Sequence, residues 1–230
     1  MSLGQRDLLA AREAYTLWAP TYDVENVLST LDELAVRFLT PSLAGLALLD
    51  AACGTARRLV FDGKIRPHRV AGVDLVFEML LRAREDPRRP ATLSVGDVRR
   101  LPFPGPAFDV VWCRLAAGHV DDLTAFYREL SRVTRPGGFL IVTDFHPAAA
   151  REGHVRSFRD PSGRRCVVEH LIHEASDHVE AAQRCGMDFD ARFALPVGPE
   201  VRRFYEISDM LGQYEHDRGL PLLLAMRFRR

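Results

Sequence analysis

Between positions 46 and 145 short apolar runs alternate with stretches of helical period, joined by short links. The runs are Leu46–Ala51, Arg69–Asp74, Thr92–Val95, Phe108–Arg114 and Phe139–Phe145. Their length suits strands covered on both faces. Between them, Thr55–Phe61, Phe77–Arg84 and Leu123–Thr134 read as helices. In the last, Leu123, Phe126, Leu130 and Val133 share one face. Alternation of this kind predicts βαβ units and a mostly parallel, doubly wound α/β sheet.

The flanks extend this plan. Leu8, Ala11, Tyr15 and Trp18 fall on one helical face that ends near Ala19-Pro20. Val24, Val27, Leu31, Leu34 and Phe38 predict a second helix, stopped by Pro41. After Pro147, Val155–Arg159 and Arg165–His170 flank Asp160-Pro161-Ser162-Gly163, which is turn chemistry and predicts a hairpin. Ser176–Cys185 reads as a helix, with Asp177 and Glu180 at capping-box spacing and Gly186 as C-cap. Phe189–Leu195 follows as a strand, Val201–Arg218 as one helix ending at Gly219, and Leu222–Phe228 as a last strand. No composition break marks a linker. The expectation is one domain over 1–230, with 1–40 as an N-terminal helical lid and 148–174 as a hairpin insertion.

Charge narrows the partners. The 31 basic and 31 acidic residues cancel, so no global field draws nucleic acid or an anionic membrane. Lys64 is the sole lysine among the basic residues, which reads as codon bias. No apolar run approaches the ~20 residues of a membrane span, and the first residues do not resemble a secretory leader. Cys53, Cys113, Cys166 and Cys185 form no Cys-x-x-Cys pair, as expected of reduced thiols in a cytoplasm. His154, His170 and His173 are close in sequence but lack the pattern of a zinc site, so no metal is expected.

The most informative segment is Leu48-Leu49-Asp50-Ala51-Ala52-Cys53-Gly54-Thr55-Ala56. A strand ends at a carboxylate, the chain turns at Gly54, and a helix is expected to start. Asp74 closes the second strand, and Gly96-Asp97-Val98 follows the third. All three sites fall at the carboxyl edge of a doubly wound sheet, where ligands bind. A dinucleotide site requires G-x-G-x-x-G so that pyrophosphate meets backbone N–H groups. Here there is one glycine, and a carboxylate before it. A carboxylate repels pyrophosphate and attracts an ammonium or sulfonium. S-adenosylmethionine carries both cations and no phosphate, so the charge pattern favours it over NAD.

Five segments resemble the class I S-adenosylmethionine-dependent methyltransferases, and most of all the small-molecule branch similar to ubiquinone/menaquinone-biosynthesis methyltransferases. They are AYTLWAPTYD (14–23), LLDAACGTARRL (48–59), VAGVDLVFEML (70–80), GDVRRLPFPGPAFDVVW (96–112) and LTAFYRELSRVTRPGGFLIVTDFHP (123–147). The resemblance implies a Rossmann-like seven-stranded sheet in order 3-2-1-4-5-7-6, with the last strand antiparallel. It implies methyl transfer to an oxygen, nitrogen, carbon or sulfur atom of a small-molecule acceptor. Asp50 would hold the methionine ammonium, and Gly54 with Ala51 and Ala52 would let the methionine end lie against backbone. Asp74 would bind the ribose diol beside Leu75, and Met79 would pack on adenine. Asp97 and the Val98 N–H would read the adenine edge. Arg114 and Leu115 would line the methionine side. Tyr15, Trp18 and Tyr22 would close the site under the N-terminal helices.

The chain also departs from the family pattern D-x-G-x-G-x-G. Ala52 and Ala56 replace its first and third glycines, and a helical φ would accommodate Ala56. The two alanines keep open an alternative, a non-catalytic S-adenosylmethionine-binding or methyltransferase-like partner protein. The stretch Val60–His68, with Phe61-Asp62-Gly63-Lys64, is unusually polar for its place. Absence of Asn/Asp-Pro-Pro-Tyr/Phe after the fourth strand disfavours amino-methylation of DNA or protein glutamine. His119 and His146, after the fourth and fifth strands, are candidate catalytic bases; packing or helix capping is the other reading of each. Arg156, Arg159, Arg164 and Arg165 cluster on the hairpin, either solvated or as a basic lid for an anionic substrate.

Overall fold

Ala47–Ala51 is buried at every position and forms β2, the centre of a seven-stranded sheet. On one side β3 (Arg69–Asp74) pairs with it in parallel, with Leu49 opposite Ala71. On the other β5 (Phe108–Arg114) does the same, with Leu49 opposite Val111. β4 (Leu93–Val95) extends the sheet beyond β3, and β6 (Thr134–Phe145) lies beside β5. β10 (Pro221–Arg229) runs antiparallel to β6 and to β9 (Asp188–Pro196). The order is therefore β4-β3-β2-β5-β6-β10-β9. This is a computed structural model, and it describes residues 8–61, 66–89 and 92–230. Residues 62–65 of the polar stretch, and the first seven residues, lie outside the described residues.

Two apolar layers cover the sheet. One packs Phe126, Tyr127 and Leu130 of α4 (Leu123–Val133) and Ala181 and Ala182 of α6 (Ala175–Arg184) on the inner strands. The other packs Leu31, Val36 and Leu39 of α2 (Val27–Leu39) and Leu80 of α3 (Phe77–Arg84) on the opposite face. Removing the leucine, valine and phenylalanine side chains from water supplies about 1.5–3 kcal/mol each. No helix among the described residues is long and apolar enough to cross a membrane.

Several expectations need correction. The helix expected at Thr55–Phe61 is reduced to a 3-10 turn at Arg57–Leu59. The cause is the turn before it: Ala52, Gly54 and Ala56 all take positive φ, at 66°, 56° and 54°. Ala56 is thus left-handed and not helical. Leu8 belongs to no helix; with Leu9 it forms β1, parallel to β8 (Arg165–Val168), and β7 (Ser157–Arg159) completes this separate three-stranded sheet. α1 starts only at Ala11 and ends at Trp18. α2 is rotated from the expected face. Phe38 is 72% exposed and Leu34 41%, whereas Asp32 turns inward to an arginine, and Val24 lies before the helix, which is capped by Asn26. α6 starts one residue earlier than expected and its capping box lies three residues earlier, on Glu174 and Asp177, with the Glu174 N–H donating to Asp177 Oδ2 at 2.8 Å. The single helix expected at Val201–Arg218 is broken into a 3-10 turn at Pro199–Val201, α7 (Arg202–Ile207) and α8 (Leu211–Asp217), with Asp209 at φ 53° between the two helices.

Candidate active site

The parallel strands deliver their carboxyl ends to one edge, and the turn Ala52–Ala56 lies across it. Ala52 and Cys53 donate their N–H groups to the Val73 carbonyl, at 2.7 and 3.0 Å, which ties the turn to β3. Asp74 Oδ2 accepts from the Gly54 N–H at 2.7 Å, and its Oδ1 accepts from the Val76 N–H at 2.9 Å. A Cβ on Gly54 would stand 3.1 Å from the Tyr22 ring. Glycine there avoids both the strain of a positive φ and a tight contact with that ring.

A small cavity of about 110 Å³ opens over this turn. Tyr15, Tyr22, Ala52, Gly54, Asp74, Leu75, Met79, Asp97, Val98, Arg114, Leu115 and His119 all line it. Asp50, Ala51, Trp18 and His146, also singled out in the sequence, do not. Asp50 is 2% exposed, and its Oδ1 has no hydrogen-bond partner among the described residues. Burial pushes its carboxyl up to about 7, against the opposing pull of Arg114. Burial also raises Asp74, to about 6, although backbone N–H groups favour its ionised form. Trp18 stacks on Phe158 at 4.8 Å and holds α1 to the hairpin. His146 lies at the start of α5 (Pro147–Arg151), where its Nδ1 accepts from the Ala148 N–H at 3.1 Å. It is a helix cap and lines neither cavity.

Arg114 does more than line a wall. Its guanidinium is bidentate on Asp32 Oδ2, at 2.8 and 2.5 Å, and reaches Glu33 Oε2 at 3.0 Å. Asp32 Oδ1 accepts from the Thr143 hydroxyl at 2.7 Å. Burial opposes the charge on Arg114, but the carboxylates of Asp32 and Asp50 hold it protonated. Asp97 is bound by Arg99, whose Nη2 donates to Oδ2 at 2.8 Å.

His119 ends a 3-10 turn, Ala117–His119, after β5. Its Nδ1 lies 3.0 Å from the Glu169 carbonyl, an obligate acceptor, so Nδ1 carries the proton. Nε2 then accepts from the Tyr15 hydroxyl at 3.0 Å and from Arg156 Nη1 at 3.2 Å. Burial first, then Arg156, pull its pKa down to about 3. It is a fixed neutral acceptor, which departs from the expected base near neutrality. Behind it the His170 ring stands at 5.2 Å and packs on Gly118. His170 Nε2 is 3.3 Å from Asp144 Oδ1, and His178 Nε2 is 3.7 Å from Asp144 Oδ2. Among the described residues no three His, Cys, Asp or Glu side chains converge as metal ligands.

A second cavity of about 850 Å³ adjoins the first, and Tyr22 and Leu115 line both. Leu115 takes φ 53°, a strained value for a leucine, at that junction. Apolar side chains from α2, β10 and α7 form much of the larger cavity, including Val27, Leu28, Leu222 and Phe204. Arg57, Arg156 and Arg165 also face it. Sequence reasoning missed Asp32 and Asp144, each an acid inside an otherwise apolar pattern. That interruption was the available signal.

The methyltransferase domain family matches residues 49–142. A 2-methyl-6-phytyl-1,4-hydroquinone methyltransferase of Synechocystis sp. is 31% identical over 138 residues, covering 59% of this chain and 43% of that protein. A malonyl-acyl-carrier-protein O-methyltransferase of Dechloromonas aromatica is 32% identical over 202 residues, covering 87% of this chain and 72% of that protein. Against several curated relatives the chain spans about half of the relative's length. The crystal structure of an S-adenosylmethionine-dependent methyltransferase from Mesorhizobium loti superposes with a TM-score of 0.67 at 24% identity, covering 87% of this chain and 98% of that one, a likeness of fold alone. A sequence likeness reaching across 87% of the chain, carried on this sheet, makes it a member of the class I S-adenosylmethionine-dependent methyltransferase family.

Proposed function

We propose that this chain transfers a methyl group from S-adenosylmethionine to a nucleophilic atom of a small molecule held in the larger cavity. The observation that carries the reading is the pair of adjoining cavities, one acid-edged over the glycine turn and one broad with largely apolar walls, meeting at Tyr22 and Leu115. When bound, S-adenosylmethionine supplies a methyl group already activated on a sulfonium. The residues fit such a molecule. Asp74 offers a carboxylate to a ribose diol while its backbone bonds fix its direction. Asp50 presents an unpartnered buried oxygen, and its charge is favourable beside a cation. Met79 supplies an apolar wall for adenine, and Asp97 and Val98 lie on the same rim.

The protein's part is then placement and exclusion of water. Tyr15 and Tyr22 close the small cavity from α1 and the segment after it. His119 fixes the Tyr15 hydroxyl and takes no proton near neutral pH. Calorimetric titration with S-adenosylmethionine, and separately with S-adenosylhomocysteine, tests the reading on wild type and Asp74→Ala. Micromolar binding by the wild type and its loss in the variant are expected. Absence of wild-type binding at millimolar ligand would overturn the enzymatic reading.

A further inference from the structure

Arg156 stands on the segment entering β7, among arginines whose sequence neighbourhood suggests a solvated hairpin. Its side chain turns inward and the residue is 6% exposed. The guanidinium donates through Nη1 to the Leu115 carbonyl at 2.6 Å and to His119 Nε2 at 3.2 Å, and lies 5.8 Å from the centre of the Tyr15 ring. Carbonyl, neutral imidazole and phenol carry no charge. Among the described residues no carboxylate pairs with this guanidinium. Arg114 shows the contrast: its side chain is 7% exposed and is matched by Asp32 and Glu33. A buried guanidinium surrounded by neutral groups is costly unless an anion meets it.

The place of this cation gives it a use. Arg156 lines the larger cavity, and its two polar partners, Leu115 and His119, line the smaller one. The charge therefore stands where the two cavities meet. Other charged groups facing the larger cavity are mostly committed. Glu25 is paired with Arg57 and Arg58, and Asp217 with His154 and the Gln213 amide. Glu152 and Arg165 also face it, of opposite sign. Deeper walls are apolar, from Val27, Leu28, Phe145, Phe204 and Leu222.

We propose that Arg156 is an oxyanion-binding, specificity-determining residue, and that the acceptor is an amphiphile whose reacting end is an acidic hydroxyl bound as its oxyanion, with its apolar body in the larger cavity. The inference rests on the methyltransferase reading and deepens it. It also accounts for the character of His119. A hydroxyl held ionised by a guanidinium needs no strong base beside it, and a charge-assisted bond to arginine favours the ionised form.

The test uses the full chain saturated with S-adenosylhomocysteine. The probes are an alkyl-substituted para-nitrophenol, whose colour reports its ionisation, and the methyl ether of the same compound. The wild type is expected to bind the phenolate about tenfold more tightly than the ether and to shift the phenol toward its ionised colour. Arg156→Gln is expected to lose that preference while still binding the ether and S-adenosylhomocysteine. Arg156→Lys is expected to keep part of it, and carries the comparison if Arg156→Gln fails to fold. Equal wild-type affinity for phenol and ether, or no binding of the phenol, overturns the proposal. So does a fall in S-adenosylhomocysteine affinity in Arg156→Gln with the phenolate preference intact, because the arginine then serves the methionine carboxylate. A wild type that binds no S-adenosylhomocysteine refutes the methyltransferase reading instead.

Discussion

Ala52 and Ala56 hold left-handed backbone with a methyl group attached, a conformation that costs an L-residue about 1–2 kcal/mol. Glycine relieves that strain but gives back about 0.4–1 kcal/mol through a more flexible unfolded chain. Ala56→Gly is therefore expected to stabilise the protein by up to about 1 kcal/mol in denaturant unfolding, a small gain despite complete burial of the methyl. A clear loss would mean that the methyl's packing outweighs the strain. Asp50 and Asp74 set a pH dependence. Their folded carboxyls titrate at about 7 and about 6, above the ordinary value of 3.8. Between those limits the free folded protein binds more protons than the unfolded chain, so these two groups lower stability as pH rises through the window. Asp50→Asn is expected to be more stable than wild type at pH 8 by on the order of 2 kcal/mol, measured by thermal unfolding. A bound sulfonium and ammonium favour the ionised carboxylate. Titration near pH 6 in two buffers of different ionisation enthalpy should then register proton release, smaller in Asp50→Asn. At this scale the acids were legible because each ends an apolar run at the sheet edge. The positive φ of two alanines was not, since a methyl group announces no backbone angle. Nor was the inward turn of Arg156, because an arginine among arginines reads the same whether it faces water or a cavity.

Elements read well where local pattern and tertiary surroundings agree. Arg69–Asp74, Phe77–Arg84 and Phe108–Arg114 have the expected bounds because each alternates with turns and faces the core. They read badly where a distant partner decides. α2 turns Asp32 inward for Arg114, far along the chain, and so leaves Phe38 outside against Phe193 at 5.1 Å. The 3-10 turn Ala117–His119 depends on the hairpin in the same way. A Cβ on Gly118 would stand 1.9 Å from His170 Cε1, and His170 is itself packed beside Asp144 and Phe145. Gly118→Ala must displace that ring and, through it, His119. Overpacking of this kind costs about 1–3 kcal/mol. The expected result is a lowered melting temperature together with weakened S-adenosylhomocysteine binding. Unchanged binding would mean that His119 and Tyr15 do not depend on this contact.

Across the whole molecule, the smaller cavity at about 110 Å³ is below the roughly 300–1,000 Å³ of ordinary ligand sites. Ligand binding is therefore expected to move the cover, made of α1, the segment to Tyr22 and the hairpin they rest on. Trp18, stacked on Phe158, reports that movement. In a Trp112→Phe background it is the sole indole. Stopped-flow fluorescence is expected to show a binding rate that saturates with S-adenosylmethionine concentration, the mark of an opening step. A rate linear throughout would mean that the cover already stands open in solution. The cover has one more consequence, in the order of assembly. Leu8 pairs with Val167, so the small sheet joins residues near the beginning of the sequence to β8, which follows the five parallel strands of the large sheet and most of the core. Closing so long a loop carries an entropy cost that nearby strand pairings avoid. During synthesis and refolding, the first five parallel strands can find one another while the start of the chain still waits for its partner. The binding pocket is then among the last parts of the molecule to come into being.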